Sequence, residues 1–152
     1  MMALDYYLVT QNVSNDIEPT IVLESLSQTF SLQKNQISGF LTGIGLTINA
    51  FEEDDEDSFF DSPNPDVCVA FRIDKFEHYE SGMNTMLKIV LWLMSYFNGN
   101  MIFFSNEQKI FQRLSSQLSL NNDTEFWSSA ESSFPSQSFQ PPARAKTTSI
   151  GL

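Results

Sequence analysis

The chain has 152 residues, 41% of them hydrophobic and 13% aromatic, enough for one domain with its own core and too little for two. Eight Lys and Arg stand against 19 Asp and Glu, and the resulting net charge of -11 weighs against nucleic-acid phosphates and anionic membranes as direct partners. With Cys68 the only cysteine and His78 the only histidine, an intramolecular disulfide and a structural Cys/His zinc site are both excluded within one chain.

Leu4, Tyr6 and Leu8 alternate with Asp5, Tyr7 and Val9, a period of two in residues that suit a pleated, half-buried surface, so the spacing predicts a first strand. Ser14, Asn15 and Asp16 are helix-capping types, and Pro19 suits a first helical turn, where a missing N–H costs nothing. A helix from Pro19 to Phe30 is expected, because Val22, Leu26 and Phe30 recur every fourth residue with Leu23 beside them, a stripe for packing on a sheet. Gly39, Gly43 and Gly45 interrupt the next apolar stretch. Glycines in strand interiors mark bends or bulges, so short strands are expected near Ile37 to Leu41 and Leu46 to Phe51. No Lys-Ser or Lys-Thr follows these glycines, and their spacing fits neither standard phosphate-cradling fingerprint.

Glu52, Glu53, Asp54, Asp55, Glu56 and Asp57 form an unbroken acidic run, followed by Ser58-Phe-Phe-Asp-Ser-Pro-Asn-Pro65. Such a run repels itself and cannot enter a core, so positions 52–65 are expected to form a solvated loop between two strands. A calcium loop would alternate its oxygen ligands and turn on a glycine, and a uniform run holds divalent ions only weakly. Two readings stay open. The plainer one is an insertion that only keeps the chain in solution. The sharper one is capture of a basic protein surface, with Glu52 to Asp57 supplying charge and Phe59 and Phe60 acting as apolar anchors.

A strand from Asp66 to Asp74 follows, with Val67, Val69, Phe71 and Ile73 on one side and Cys68, Ala70, Arg72 and Asp74 on the other. Arg72 is placed to pair with a carboxylate such as Asp5 or Asp74. Next comes a long helix, in which Met83, Met86, Leu87, Val90, Leu91, Met94 and Phe97 share one broad face while Ile89, Trp92, Leu93 and Tyr96 make a second. A helix apolar on two sides is either sandwiched within the domain or partly exposed to a partner. Asn98-Gly99-Asn100 turns the chain into a strand from Met101 to Phe104. A hairpin turn at Asn106 to Lys109 then leads to a strand from Ile110 to Leu114 that extends to Leu118 and Leu120, with Ser115 to Gln117 as a bulge or loop. Asn121 to Thr124 breaks the pattern, and Phe126 and Trp127 are expected to fold back onto the core. Beyond Ser128 the chain is rich in Ser, Gln and Pro and cannot bury enough apolar surface to order itself.

The expected fold class is α+β: an antiparallel or mixed sheet of about five to six strands with two helices packed on it, in the order β-α-β-β-β-α-β-β. Residues 1–127 make one domain carrying the acidic loop, and residues 128–152 a flexible tail. Met1 to Tyr7 lacks the basic-then-apolar order of a secretory signal. The longest nearly unbroken apolar run, Ile89 to Phe97, is far short of the roughly 20 residues of a bilayer span, so a cytoplasmic location is expected. No catalytic residue, metal or cofactor is assigned. His78, among Glu77, Tyr79 and Glu80 at a helix start, reads as a solvated surface histidine, and Cys68, central in a strand, reads as a buried, inert thiol.

Met2-Ala-Leu-Asp-Tyr-Tyr-Leu8, Val69-Ala-Phe-Arg-Ile-Asp-Lys75, the helix-face pairs Met86-Leu87 and Val90-Leu91, and Phe126-Trp127 together resemble the small immunity proteins of the myxobacterial Sit polymorphic-toxin system. The similarity covers Met2 to Trp127, with the acidic run, the segment Phe59 to Pro65 and the Ser/Pro tail as departures. The resemblance implies a non-enzymatic antidote that binds a cognate toxin and blocks it. It offers no motif residues for a binding site. A cognate toxin or another basic protein is therefore the expected partner, with neither nucleic acid nor membrane contacted directly and the chain itself a monomer or weak homodimer. Two other classes fit the charge. One is an acidic secretion chaperone for an effector, expected to begin with a helix and to dimerise. The other is an acidic nucleic-acid mimic, which needs carboxylates spread over a surface rather than gathered in one loop.

Overall fold

Alternation at the start of the chain does make a strand, β1 (Ala3–Thr10), and in the computed structural model that strand lies inside the sheet with a partner on each side. The structure describes residues 3–12, 17–53, 60, 65–105 and 108–121. After β1 come α1 (Pro19–Phe30), β2 (Gln33–Lys34), β3 (Leu41–Gly43), β4 (Leu46–Glu52), β5 (Val67–Asp74), α2 (Tyr79–Tyr96), β6 (Met101–Ser105), β7 (Gln108–Leu114) and β8 (Gln117–Leu120). The strands form one eight-stranded sheet in the order β2-β3-β4-β5-β1-β6-β7-β8. Every pairing is antiparallel.

The α+β class is as expected, but the strand count is higher, for two local reasons. Gln33–Lys34 makes a two-residue strand too short to leave a period in the sequence. Ser115 and Ser116 both take left-handed backbone angles, φ 51 and φ 68, and fold β8 back along β7 instead of continuing it. The strand expected at Ile37 to Leu41 is also displaced. Asn35 accepts hydrogen bonds from the Ile37 and Ser38 amides through its Oδ1, both at 2.9 Å, and the Gly39 amide donates to the Asn35 carbonyl. These bonds close a turn with Ile37 at its tip, 97% exposed, and β3 begins only at Leu41. The hairpin turn expected at Asn106 to Lys109 is shorter too, because β7 already starts at Gln108.

Register decides which side chains meet. Leu8 lies opposite Val69 of β5 and Phe103 of β6, so Tyr6, Leu8, Val69, Phe71 and Phe103 share one face, joined by Ile48 from β4 and Phe111 from β7. Phe103 stands at its centre, 5.9 Å from Tyr6, 6.5 Å from Phe71 and 5.4 Å from Phe111 between ring centroids. Both helices cover this face. Val22, Leu23 and Leu26 of α1 and Met86, Leu87, Ile89, Val90 and Leu93 of α2 are buried against it. Phe30 meets Trp92 edge-on at 6.1 Å, which joins the two helices. One apolar side of α2 thus goes to the sheet, Trp92 on the other meets Phe30 of α1, and Tyr96 is left exposed at the helix end.

The termini of these helices are held in different ways. Pro19 opens α1 as expected, after Glu18 and without a side-chain cap. Ser31 closes it in a left-handed conformation, with the Leu32 amide donating to the Ser27 carbonyl at 3.1 Å. At the end of α2, Arg113 reaches across from β7 and donates to the carbonyls of Met94 at 2.7 Å, Phe97 at 2.6 Å and Gly99 at 2.9 Å. Burial lowers the pKa of this guanidinium, and the ring of carbonyls compensates for its lost hydration. The expectations for Ser14 to Asp16, for Phe126 and Trp127 and for the tail at 128–152 lie outside the described residues.

Candidate functional site

The other face of the sheet carries no helix among the described residues. Its odd positions on β1 bring Asp5, Tyr7 and Val9 beside Ala70, Cys68 and Arg72 of β5 and Ile102 and Phe104 of β6. Val9, Cys68 and Ile102 are buried there, with Tyr7, Phe51 and Phe104 packed around them and only partly covered. Tyr7 stacks on Phe104 with ring centroids 5.4 Å apart. Asp5 and Arg72 are direct cross-strand neighbours, and Arg72 donates from Nε to Asp5 Oδ1 at 2.9 Å and from Nη2 to Oδ2 at 3.3 Å. Of the two carboxylates the sequence offered to Arg72, it takes Asp5, while Asp74 accepts the amides of Phe76 at 2.8 Å and Glu77 at 3.0 Å.

The acidic segment enters and leaves at one edge of this face. Glu52 ends β4 opposite Val67, and the Glu53 amide donates to the Asp66 carbonyl at 2.8 Å, one rung beyond the ladder. Two strands therefore grip the base of the loop. Phe60 comes back down onto the sheet, packing with Val9, Cys68 and Ile102 at only 8% exposure. Of the residues expected to meet a partner, Glu52 lies exposed at the strand end, Glu53 is half-exposed at the loop base, and Phe60 serves as the loop's own anchor to the sheet. Asp54, Asp55, Glu56, Asp57 and Phe59 lie outside the described residues. Sequence reasoning did not single out Tyr7, Phe51 and Phe104 as a group. The signal was present in the alternation of each strand, but only the register brings the three together.

Buried beneath Phe60, Cys68 has its pKa pushed up from 9.0 to about 12, by burial first and then by the charges of Glu53 and Asp66. Tyr6, on the helix-covered face, is raised from 10.0 to about 12, mainly by burial. The native state thus keeps both protons that the unfolded chain begins to lose near pH 9 to 10. Their contribution is whole below that range and is lost as pH rises toward about 12. Urea midpoints should therefore be flat from pH 7 to about 8.5 and fall steeply above 9.5, with part of the fall removed in C68A. Under native conditions at pH 8 the thiol should resist alkylation on the time scale on which a free cysteine is consumed.

Among the described residues no group of three or more His, Cys, Asp or Glu side chains could hold a metal ion. No described helix is long and apolar enough to cross a membrane. What the described residues of this face offer is an aromatic patch, a paired Arg72 and the two-stranded base from which the acidic run departs.

A family model described as SitI3-like matches residues 5–131. The chain belongs to the SitI3-like family. The resemblance to Sit immunity proteins carried by Met2 to Leu8, Val69 to Lys75 and the α2 face is thereby established at the level of family. No curated protein and no solved structure matches the chain. In this SitI3-like chain the matched span runs from β1 past β8 and contains the whole acidic loop.

Proposed function

We propose that this SitI3-like chain is an immunity protein that binds a cognate toxin through a protein–protein interface and blocks it without performing chemistry of its own. Family membership over residues 5–131 is the observation that carries the reading. The net charge of -11 supports it, because a strongly acidic surface steers a basic partner and is a poor match for phosphates. On this reading the acidic run Glu52 to Asp57 attracts the toxin, and what supports it is that the run departs from the ends of β4 and β5, where Glu53 bonds to Asp66 and Phe60 packs on the sheet. The protein acts in the cytoplasm, where a toxin arriving from outside or made within would meet it.

Co-expression tests this directly. Cells making the toxin encoded beside this gene should survive only when the chain is also made, and the purified pair should co-elute. A chain that neither binds nor neutralises that neighbour sinks the proposal. Replacing Glu52 to Asp57 by Ser should slow association about tenfold at low salt and flatten its salt dependence, with dissociation changed by less than about twofold. Unchanged association would leave the acidic run with solubility alone.

A further inference from the structure

On the helix-free face two polar side chains are buried where the described elements leave them open. Gln112 of β7 lies between Ile102 of β6 and Ser119 of β8, one step along from the row of Phe103, Phe111 and Leu120 that faces the helices. All three therefore point away from the helices. Gln112 is only 4% exposed and Ser119 only 6%. Ser119 sits on the outermost strand, with a neighbour on one side alone, and no described helix or strand lies over that face. In-sheet neighbours do not close over a glutamine or an edge serine, residue types that are mostly solvent-facing. Both are buried in one chain by itself, so what covers them is a further part of the same chain.

We infer that residues 122–131 cross this face, closing over Ser119 and Gln112 and seating Phe126 and Trp127 on the patch of Tyr7 and Phe104. The exit from β8 aims the chain there. The Asn121 amide donates to the Ile110 carbonyl at 2.9 Å, and Asn121 Nδ2 donates to the Lys109 carbonyl at 2.7 Å. Lys109 is the partner of Phe104, and Phe104 of Tyr7, so the chain leaves level with the Tyr7–Phe104 stack. At strand spacing these rings lie about 10 and 14 Å from β8, within the roughly 17 Å that the five residues from Asn121 to Phe126 can span. Chemistry agrees, because two half-covered aromatic rings meet the two largest apolar side chains of the segment. The family match ends at residue 131, so it takes in this segment and stops before the Ser/Pro-rich remainder. The acidic loop is less well placed. Its Phe60 reaches Ile102, but the rest of it must join that ring to the ends of β5 and β4, four and five strands from β8. The segment from 122 gives the sheet a second, smaller core and takes Tyr7 and Phe104 out of the surface offered to a partner.

Paramagnetic broadening in the full chain tests the placement. A nitroxide on the single cysteine of C68A/S128C should erase the amide signals of Tyr7, Phe104, Gln112 and Ser119, while Glu24 and Lys88, exposed on α1 and α2, keep theirs. Signals lost at the helices instead, or from no element, overturn the inference. So does loss that appears only between differently labelled copies in a mixed sample, which would make the cover a second molecule. If C68A/S58C gives the expected pattern and C68A/S128C does not, the acidic loop is the cover and the inference again falls. Stability supplies the second measurement: F126S/W127S should lower the melting temperature by roughly 8 °C or more, and an unchanged melting curve would leave the two aromatic residues without a seat. Should that variant fail to fold, the nitroxide pattern decides alone.

Discussion

Replacing Gly45 by Ala is expected to cost about 2 to 4 kcal/mol, lowering the melting temperature by roughly 6 to 12 °C for a chain of this size. Two effects add. Gly45 has φ +74, where a Cβ carries a conformational penalty, and that Cβ would lie 2.3 Å from the His78 carbonyl oxygen, an atom of the backbone that cannot swing aside. The facing substitution, Gly82→Ala, weighs a gain against a loss. Alanine in a helix interior is worth about 1 kcal/mol over glycine, yet here its methyl would meet the Gly45 carbonyl oxygen at 2.3 Å and the Gly45 carbonyl carbon at 2.9 Å. Overpacking against fixed backbone outweighs that gain, so Gly82→Ala should destabilise as well. Gly39→Ala is the control, because φ is +80 but nothing lies within 4 Å, leaving only the conformational cost of about 1 kcal/mol. Equal losses at positions 39 and 45, read from denaturant midpoints, would refute the close approach as the dominant cause.

Arg113→Met should cost about 3 kcal/mol, although the replacement side chain is of similar length and sits on a partly buried site. The loss arises at the other end of the contact. Met94, Phe97 and Gly99 would keep carbonyls turned toward a group that no longer donates, at the end of α2 where the helix has no bonds of its own to offer them. Arg113→Lys should recover less than half, since an ammonium cannot reach three carbonyls in the forked geometry of a guanidinium. Hydrogen exchange should separate this mechanism from general loosening. The amides of the last turn of α2, including Phe97, which donates to Leu93 at 2.8 Å, should lose protection before those of β1 and β5.

Much of the architecture could be read from the chain because it rests on strong periods. The alternation from Leu4 to Val9, the four-residue steps of Val22, Leu26 and Phe30, and the broad face of Met86, Leu87 and Val90 each mark an element that the structure contains. Local polar chemistry accounts for the misses. Ile37 looks like strand by its hydrophobicity, but Asn35 and Gly39 close a turn around it. The Ser115–Ser116 reversal uses residues that give little warning of left-handed backbone, so β7 and β8 read as one strand. The candidate surfaces were legible to a lesser degree. Charge in the run Glu52 to Asp57 was plain, yet only tertiary packing turns Phe60 inward onto Cys68. Similarly, the close approach of Gly45 to His78 and Gly82 of α2 could not be read from either segment alone.

The placement of β1 has a consequence measured in time. Its partners are β5 and β6, so the pair of Tyr6 with Ser105 cannot form until the ribosome has delivered nearly a hundred further residues. At ordinary synthesis rates that takes roughly 5 to 20 s, and until β5 is delivered, about two thirds of the way through, the strand at the heart of the fold has neither neighbour. With its ladders closed by distant segments, this topology also belongs to the slower-folding kind. On the proposed immunity function, a chain built this way cannot be improvised once a toxin is active, and a cell relying on it would need a standing supply.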